Sequence, residues 1–157
     1  MLSSVSADTI KLGLNYAKTG PYQVQGLDQL RAAQLAVSEI NANGGVKGQQ
    51  LELVVRDTQS KKPLSTKNTT DLIDNVGVKM VFGGTSSSVA IAAGKVCQAR
   101  QVPFFGTLTY STATTGKAAK RFVFRECYNA WPGAKVLGSY LNENFKGKKF
   151  LYITADY

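Results

Sequence analysis

The sequence predicts an α/β fold, a parallel sheet covered by helices on both faces in a three-layer αβα arrangement. Short aliphatic runs alternate with longer amphipathic stretches along the 157 residues. The connections between them are short and marked by Gly, Pro, Asn and Ser. Elements that alternate this way build parallel sheets, because each return to the sheet's starting edge needs a crossover helix. At 43% hydrophobic and 18% charged, the composition suits one ordinary globular domain with its own core.

In chain order, residues 1–7 are polar and patternless. Val5–Ala7 offers the small side chains a signal peptidase cuts after, without the charged and apolar parts of a signal. Met1 then reads as an added start on a mature secreted chain; a plain disordered N-terminus fits equally well. Thr9–Asn15 alternates as a strand and is broken by Lys18–Pro21. Leu27–Asn43 spaces Leu27, Leu30, Ala33, Val37 and Ile40 as a helix, stopped by Gly44 and Gly45. With strand Leu51–Asp57 this makes a βαβ unit, expected to cross right-handed.

The cycle repeats. Pro63–Asn75 is predicted as a helix with Leu64, Leu72 and Ile73 inward, Val78–Phe82 as a strand and Ser86–Ala99 as a helix. Strand Val102–Gly106 leads into the hydroxyl-rich loop Thr107–Thr115. Strand Phe122–Arg125, helix Trp131–Asn144 and strand Lys149–Thr154 follow.

The chain is organised around Lys79–Gly94, a buried strand, the Gly83–Gly84 hinge and then a helix opened by hydroxyls. The free N–H groups of a helix's first turn make a seat for a small anion. One serine there is an ordinary N-cap. Thr85 to Ser88 exceed what capping requires, so they are taken as the centre of a ligand site.

Composition excludes several chemistries. There is no histidine, which removes His-based acid–base catalysis and most zinc sites. Cys97 and Cys127 fit no metal spacing, and no cofactor motif follows the first strand. Net charge is +9, with eight basic and seven acidic residues up to position 78 and eleven and three beyond it. The lysines are scattered, without a nucleic-acid motif, and form a solvated face. Ligands in such sheets sit at the carboxyl ends of the strands, near a reversal of strand order. The loops there, Ala17–Gln25, Asp57–Lys62, Gly83–Ser88 and Thr107–Thr115, are rich in uncharged hydrogen-bonding groups. No nucleophile–base pair or carboxylate cluster accompanies them, so the site is predicted to hold rather than react.

Ile10–Leu14, Thr19–Pro21, Gly26 and the run Ala32–Gly48, with its Ala-Val-x-x-Ile-Asn-Ala-x-Gly-Gly phrase, resemble the type I periplasmic solute-binding proteins. The similarity runs from Thr9 onward and is nearest the leucine/isoleucine/valine- and amide-binding receptors of ABC transporters. It implies two Rossmann-like lobes that close over a ligand, in a chain more than twice this length. Residues 9–121 are then expected as the first lobe, 122–129 as a hinge crossing, and 130–157 as the start of a truncated second lobe, with 1–8 a leader remnant. The implied ligand contacts are Ser87 with Ser86 beside it, Leu108 through its backbone, Tyr110 or Thr109 depending on register, and Gln25. Tyrosine at 110 and glutamine at 25 depart from the family pattern and count against a branched aliphatic ligand. The resemblance further implies a non-enzymatic periplasmic receptor without cofactor or metal. Its partners would be an amino acid or amide-like ligand and a membrane permease; a sensing domain of a signalling receptor is the alternative.

Other residues have plainer expectations. Trp131 should pack at a helix start before Pro132. Arg125 should form a structural salt bridge, with an anion ligand as the alternative. Phe104, Phe105 and Tyr16 should be core, Tyr22 near the cleft, and Asp57 a cap for the turn after its strand. Cys97 and Cys127 should lie at opposite ends of the layer, about 20 Å apart along a helix of thirteen residues, and remain free thiols.

Overall fold

A computed structural model describes residues 9–153. Five strands form one sheet: β1 (Ile10–Tyr16), β2 (Leu51–Asp57), β3 (Met80–Gly83), β4 (Phe104–Gly106) and β5 (Val123–Arg125). Their order is β2-β1-β3-β4-β5, with every neighbouring pair parallel. The helices are α1 (Gln23–Ala42), α2 (Lys62–Asp74), α3 (Ser87–Arg100) and α4 (Ala130–Asn144), with a 3₁₀ turn at Thr112–Thr114. The chain steps outward from β1 to β2, then returns past β1 to β3. Strand order therefore reverses between β1 and β3, and the loops leaving those strands flank the reversal.

The alternating strand residues bury two separate clusters. Leu72, Val78, Val81, Ala90, Phe104 and Val123 pack where α2 and α3 cover the sheet. Leu14, Tyr16 and Ala33 pack with Leu27, Leu30, Leu53 and Phe82 under α1. This is the predicted three-layer arrangement. At the carboxyl end of β1, Asn15 is 1% exposed and ties the strand to α2. Its amide donates to the Ser65 carbonyl at 3.1 Å and to the Thr69 hydroxyl at 3.0 Å, and its oxygen accepts from Asn68. A buried amide satisfied on both sides fixes the strand–helix register at the edge that matters.

Several expectations are corrected. α1 begins at Gln23, four residues before the apolar period starts, with Val24 71% exposed. β4 begins at Phe104, after Pro103, which has no N–H for the ladder. Phe105 is only partly buried, stacked on Phe124 on the side that α1 leaves open. Residues 149–153 form no strand, because a strand needs a partner and none lies beside it among the described residues; Thr154 lies outside them. Trp131 does not pack either: it is 64% exposed, and α4 buries none of its residues. Residues 1–8, expected as a remnant, also lie outside the described segment.

Candidate functional site

The loops leaving β1, β3 and β4 meet at the strand-order reversal. Gly83 (φ +123°) and Gly84 (φ +79°) turn the chain out of β3 in backbone conformations that side chains rarely adopt. A Cβ on Gly83 would run into the Asn15 carbonyl, and one on Gly84 would lie 2.7 Å from the Ala90 Cβ. This tight exit presses the opening of α3 against β1. The Gly84 N–H donates to the Asn15 carbonyl at 3.1 Å, and the Thr107 N–H to the Gly83 carbonyl at 3.0 Å. Three loops are thereby stitched at their roots.

Ser86 stands at the N-cap of α3 in extended conformation, yet its hydroxyl caps nothing. It lies 3.3 Å from the Ser88 hydroxyl instead. The first backbone bond into the helix runs from the Ala90 N–H to the Ser86 carbonyl at 3.0 Å. The N–H groups preceding Ala90 in the first turn have no partner within the helix, as geometry dictates. The Ser87 hydroxyl accepts the Ser111 N–H at 2.9 Å, which leaves its own proton free to donate. Thr85 is 6% exposed, and its hydroxyl is buried without a hydrogen-bond partner. A buried hydroxyl left unpaired costs about 1–3 kcal/mol.

Thr85, Ser86 and Ser87 line a recess of about 100 Å³ together with Tyr22, Gln25, Leu108 and Tyr110. Of the residues expected from sequence, the structure gathers Gln25, Ser86, Ser87, Leu108 and Tyr110 around one cavity, with Tyr22 also there. Thr109 is not among them. It is fully buried, its methyl packed against Gly106 and its N–H donating to the Cys127 sulfur at 3.1 Å. Its hydroxyl, like that of Thr85, has no partner, but it lies beneath the loop. Burial first, then the Tyr128 phenol beside it, lift the Tyr110 hydroxyl above the ordinary tyrosine range. It remains a neutral donor at physiological pH.

The recess lining carries no acidic or basic side chain. An anion seated there meets N–H dipoles and hydroxyls at the positive end of a helix, without a counter-charge. A larger hollow of about 560 Å³ on the other flank of α3 shares Ser87 and adds Lys62, Lys95 and Lys117. Its polar lining is surface lysine and hydroxyl, without a buried unpaired group among those described, so the smaller recess is the better seat. Among the described residues no three His, Cys, Asp or Glu converge as metal ligands. No helix there is long and apolar enough to cross a membrane.

Two charged residues support the loops. The Arg125 guanidinium donates to the Ser111 carbonyl at 3.1 Å and pairs with no carboxylate among the described residues, which corrects the salt bridge expected for it. Asp57 accepts from the Thr19 hydroxyl at 2.7 Å, the Gln59 N–H at 2.8 Å and the Lys18 N–H at 3.0 Å, binding the β1 loop to the β2 loop. Partial burial pushes this carboxyl up, but the hydrogen bonds from Gln59, Thr19 and Lys18 outweigh it and hold it below the ordinary carboxylate range. The unfolded chain then takes up its proton first. Asp57 therefore contributes stability above the unfolded carboxylate range, and the contribution is lost as pH falls through the folded value. Asp57→Asn is expected to lower stability at about pH 7 and to flatten its decline toward about pH 3. Urea unfolding across that range checks this; an equally steep decline in the variant removes Asp57 as a contributor.

Cys97 is buried in the α3 core, where burial pushes its thiol up to about 12, and Cys127 sits at the carboxyl edge under the Tyr110 loop. Both are free thiols. Tyr128 carries no signal in the sequence. Its ring stacks on Tyr110 with centroids 5.0 Å apart, and the Ala130 N–H donates to the Tyr110 carbonyl at 2.7 Å. No periodicity announces a contact between two loops.

A family model described as "Periplasmic binding protein" matches residues 9–157. Leu/Ile/Val-binding protein homolog 8 of Brucella abortus (strain 2308) is 34% identical over 116 residues, 74% of this chain and 28% of that protein. Homolog 7 of the same strain is 38% identical over 100 residues, 64% of this chain and 25% of that one. Among solved structures, the branched-chain amino acid transporter substrate binding protein LivJ from Streptococcus pneumoniae, in complex with isoleucine, matches with a TM-score of 0.82 at 29% identity. That match covers 87% of this chain and 39% of LivJ. The chain thus spans 25% to 39% of the length of these relatives.

Proposed function

The chain belongs to the periplasmic binding protein family, and on that premise we propose that it seats the ligand of an extracytoplasmic receptor serving an ABC importer. The ligand is a small amino acid, amide or related carboxylate. The observation that supports this is the convergence at the opening of α3. Thr85, Ser86 and Ser87 line one small recess at a strand-order reversal. There the first turn of α3 leaves its N–H groups without helix partners, Ser87 keeps a free proton and the Thr85 hydroxyl is buried without a partner. A carboxylate placed there would receive several hydrogen bonds to its charged form, each worth more than a neutral one. The isoleucine bound to LivJ, a similar protein, favours the same ligand chemistry.

On this reading residues 9–121 act as the first lobe, 122–129 as the hinge and residues from 130 onward as part of a second lobe. The unburied face of α4 accords with a helix whose packing partners belong to that lobe. Closure of the second lobe would exclude water from the recess and strengthen every hydrogen bond in it. The receptor would then present its closed form to a membrane permease.

Native mass spectrometry of the full-length protein, purified without added ligand, tests this. The expected result is a small carboxylic acid or amide that co-purifies, leaves on mild denaturation and rebinds after refolding. A ligand-free protein that takes up no member of an amino acid and organic acid panel contradicts it.

A further inference from the structure

The seat at α3 is polar and uncharged, but what borders it toward the hinge is aromatic. Tyr110 lines the recess, and the Tyr128 ring lies against it with planes only 17° from parallel. The contact is held from both sides of the chain. The Tyr110 carbonyl accepts the Ala130 N–H at 2.7 Å, two residues past Tyr128, and the Thr109 N–H donates to the sulfur of Cys127, one residue before it. The two segments that carry the rings are therefore held together by hydrogen bonds on either side of the stack.

Both rings stay open. Tyr128 is 70% exposed and Tyr110 39% exposed. A pair of aromatic faces held in register and left uncovered beside an anion seat is surface that a partner should cover. Gln25 lines the same recess with an amide where an aliphatic pocket would need an apolar side chain. A branched aliphatic body meets one aliphatic side chain in this lining, that of Leu108. A flat ring finds an offset-stacking surface with the appropriate quadrupole.

We propose that Tyr110 and Tyr128 form a stacking wall and that the ligand class is a carboxylate with an aromatic body, its acid group in the α3 seat and its ring against the wall. This rests on the recess being a carboxylate seat. Tyr110 and Tyr128 are then specificity-determining residues, and Ser87 is the residue that anchors any acid.

Calorimetry on the full-length protein separates the two levels. The probes are the matched pairs benzoate and cyclohexanecarboxylate, and phenylalanine and cyclohexylalanine, with isoleucine alongside. Within each pair the acid group is constant, and the flat π face is exchanged for a puckered, more lipophilic ring that should gain from any purely apolar wall. The aromatic member is expected to bind roughly three- to tenfold more tightly. Tyr128→Leu should erase that ratio, and Tyr128→Phe, which keeps the ring, should preserve it. A saturated member that binds as well as its aromatic partner, or isoleucine binding above all four, overturns the aromatic assignment and leaves carboxylate capture standing. Silence from all five acids, in protein that mass spectrometry shows to be ligand-free, overturns the carboxylate seat as well.

Discussion

Replacing Ser87 by alanine in the full-length protein is expected to weaken ligand binding more than tenfold while leaving the fold intact. Ser87 sits at the first position of α3, and its hydroxyl works in both directions. It accepts from the Ser111 N–H at 2.9 Å, which holds the loop after β4, and has one proton left for the recess. A hydrogen bond to a carboxylate is worth about 1.5–3 kcal/mol, so losing it costs roughly ten- to a hundredfold in affinity. The structural cost is smaller. One N–H, that of Ser111, loses its partner at a part-buried site, at about 1 kcal/mol. Calorimetry and urea unfolding on the same variant separate the effects. Unchanged affinity removes Ser87 from the site; a lost fold makes its role structural.

Gly83→Ala should have the largest effect on stability, about 2–4 kcal/mol, and should abolish binding with it. The residue's φ of +123° is one that alanine avoids, and the added Cβ would strike the Asn15 carbonyl. That carbonyl belongs to β1, which is paired on both sides and cannot give way. The Gly83 carbonyl also accepts from Thr107, so movement of β3 passes to the loop carrying Leu108 and Tyr110. Gly77→Ala is the control: its φ is +77°, but nothing lies within 4 Å of the added Cβ. It should cost about 1 kcal/mol and leave binding alone. Equal losses from the two variants, in unfolding and in titration, would show that the close approach at Gly83 contributes nothing.

The sheet was legible because its strands are short, apolar and punctuated. β2 falls at Leu51–Asp57 as its alternation requires, and α2 and α3 lie within a residue of where their apolar spacing puts them. Misses fall where structure depends on something other than local pattern. α1 starts early, at residues with no apolar period, because Gly26 lets the helix close on the Ala17 carbonyl. The Lys149–Thr154 run has strand composition, but strands are made by partners rather than by composition. Trp131 reads as a packing residue because Pro132 places it at a helix start, yet its helix has nothing to lie on among the described residues.

The recess was legible in kind and blurred in register. A hydroxyl run after a Gly-Gly strand exit marks a helix N-terminus, which points to Thr85–Ser88 as a group; only the family resemblance narrows it to Ser87 with Ser86 beside it. Thr109 and Tyr110 could not be separated, because a loop has no period to assign faces. The structure turns Thr109 inward, where Gly106 leaves room for its methyl, and so brings Tyr110 to the cavity. Tyr128 was illegible for a further reason. Its stack on Tyr110 depends on how the chain leaves β5, which no local pattern encodes.

A crystal structure of the full-length protein with its own ligand bound is the decisive measurement. A ligand oxygen is expected within about 3 Å of the Ser87 hydroxyl and of a first-turn N–H of α3, in the recess bounded by Gln25 and Tyr110. A ligand seated elsewhere, such as in the hollow lined by Lys62, Lys95 and Lys117, with Gln25, Leu108 and Tyr110 untouched, would contradict it.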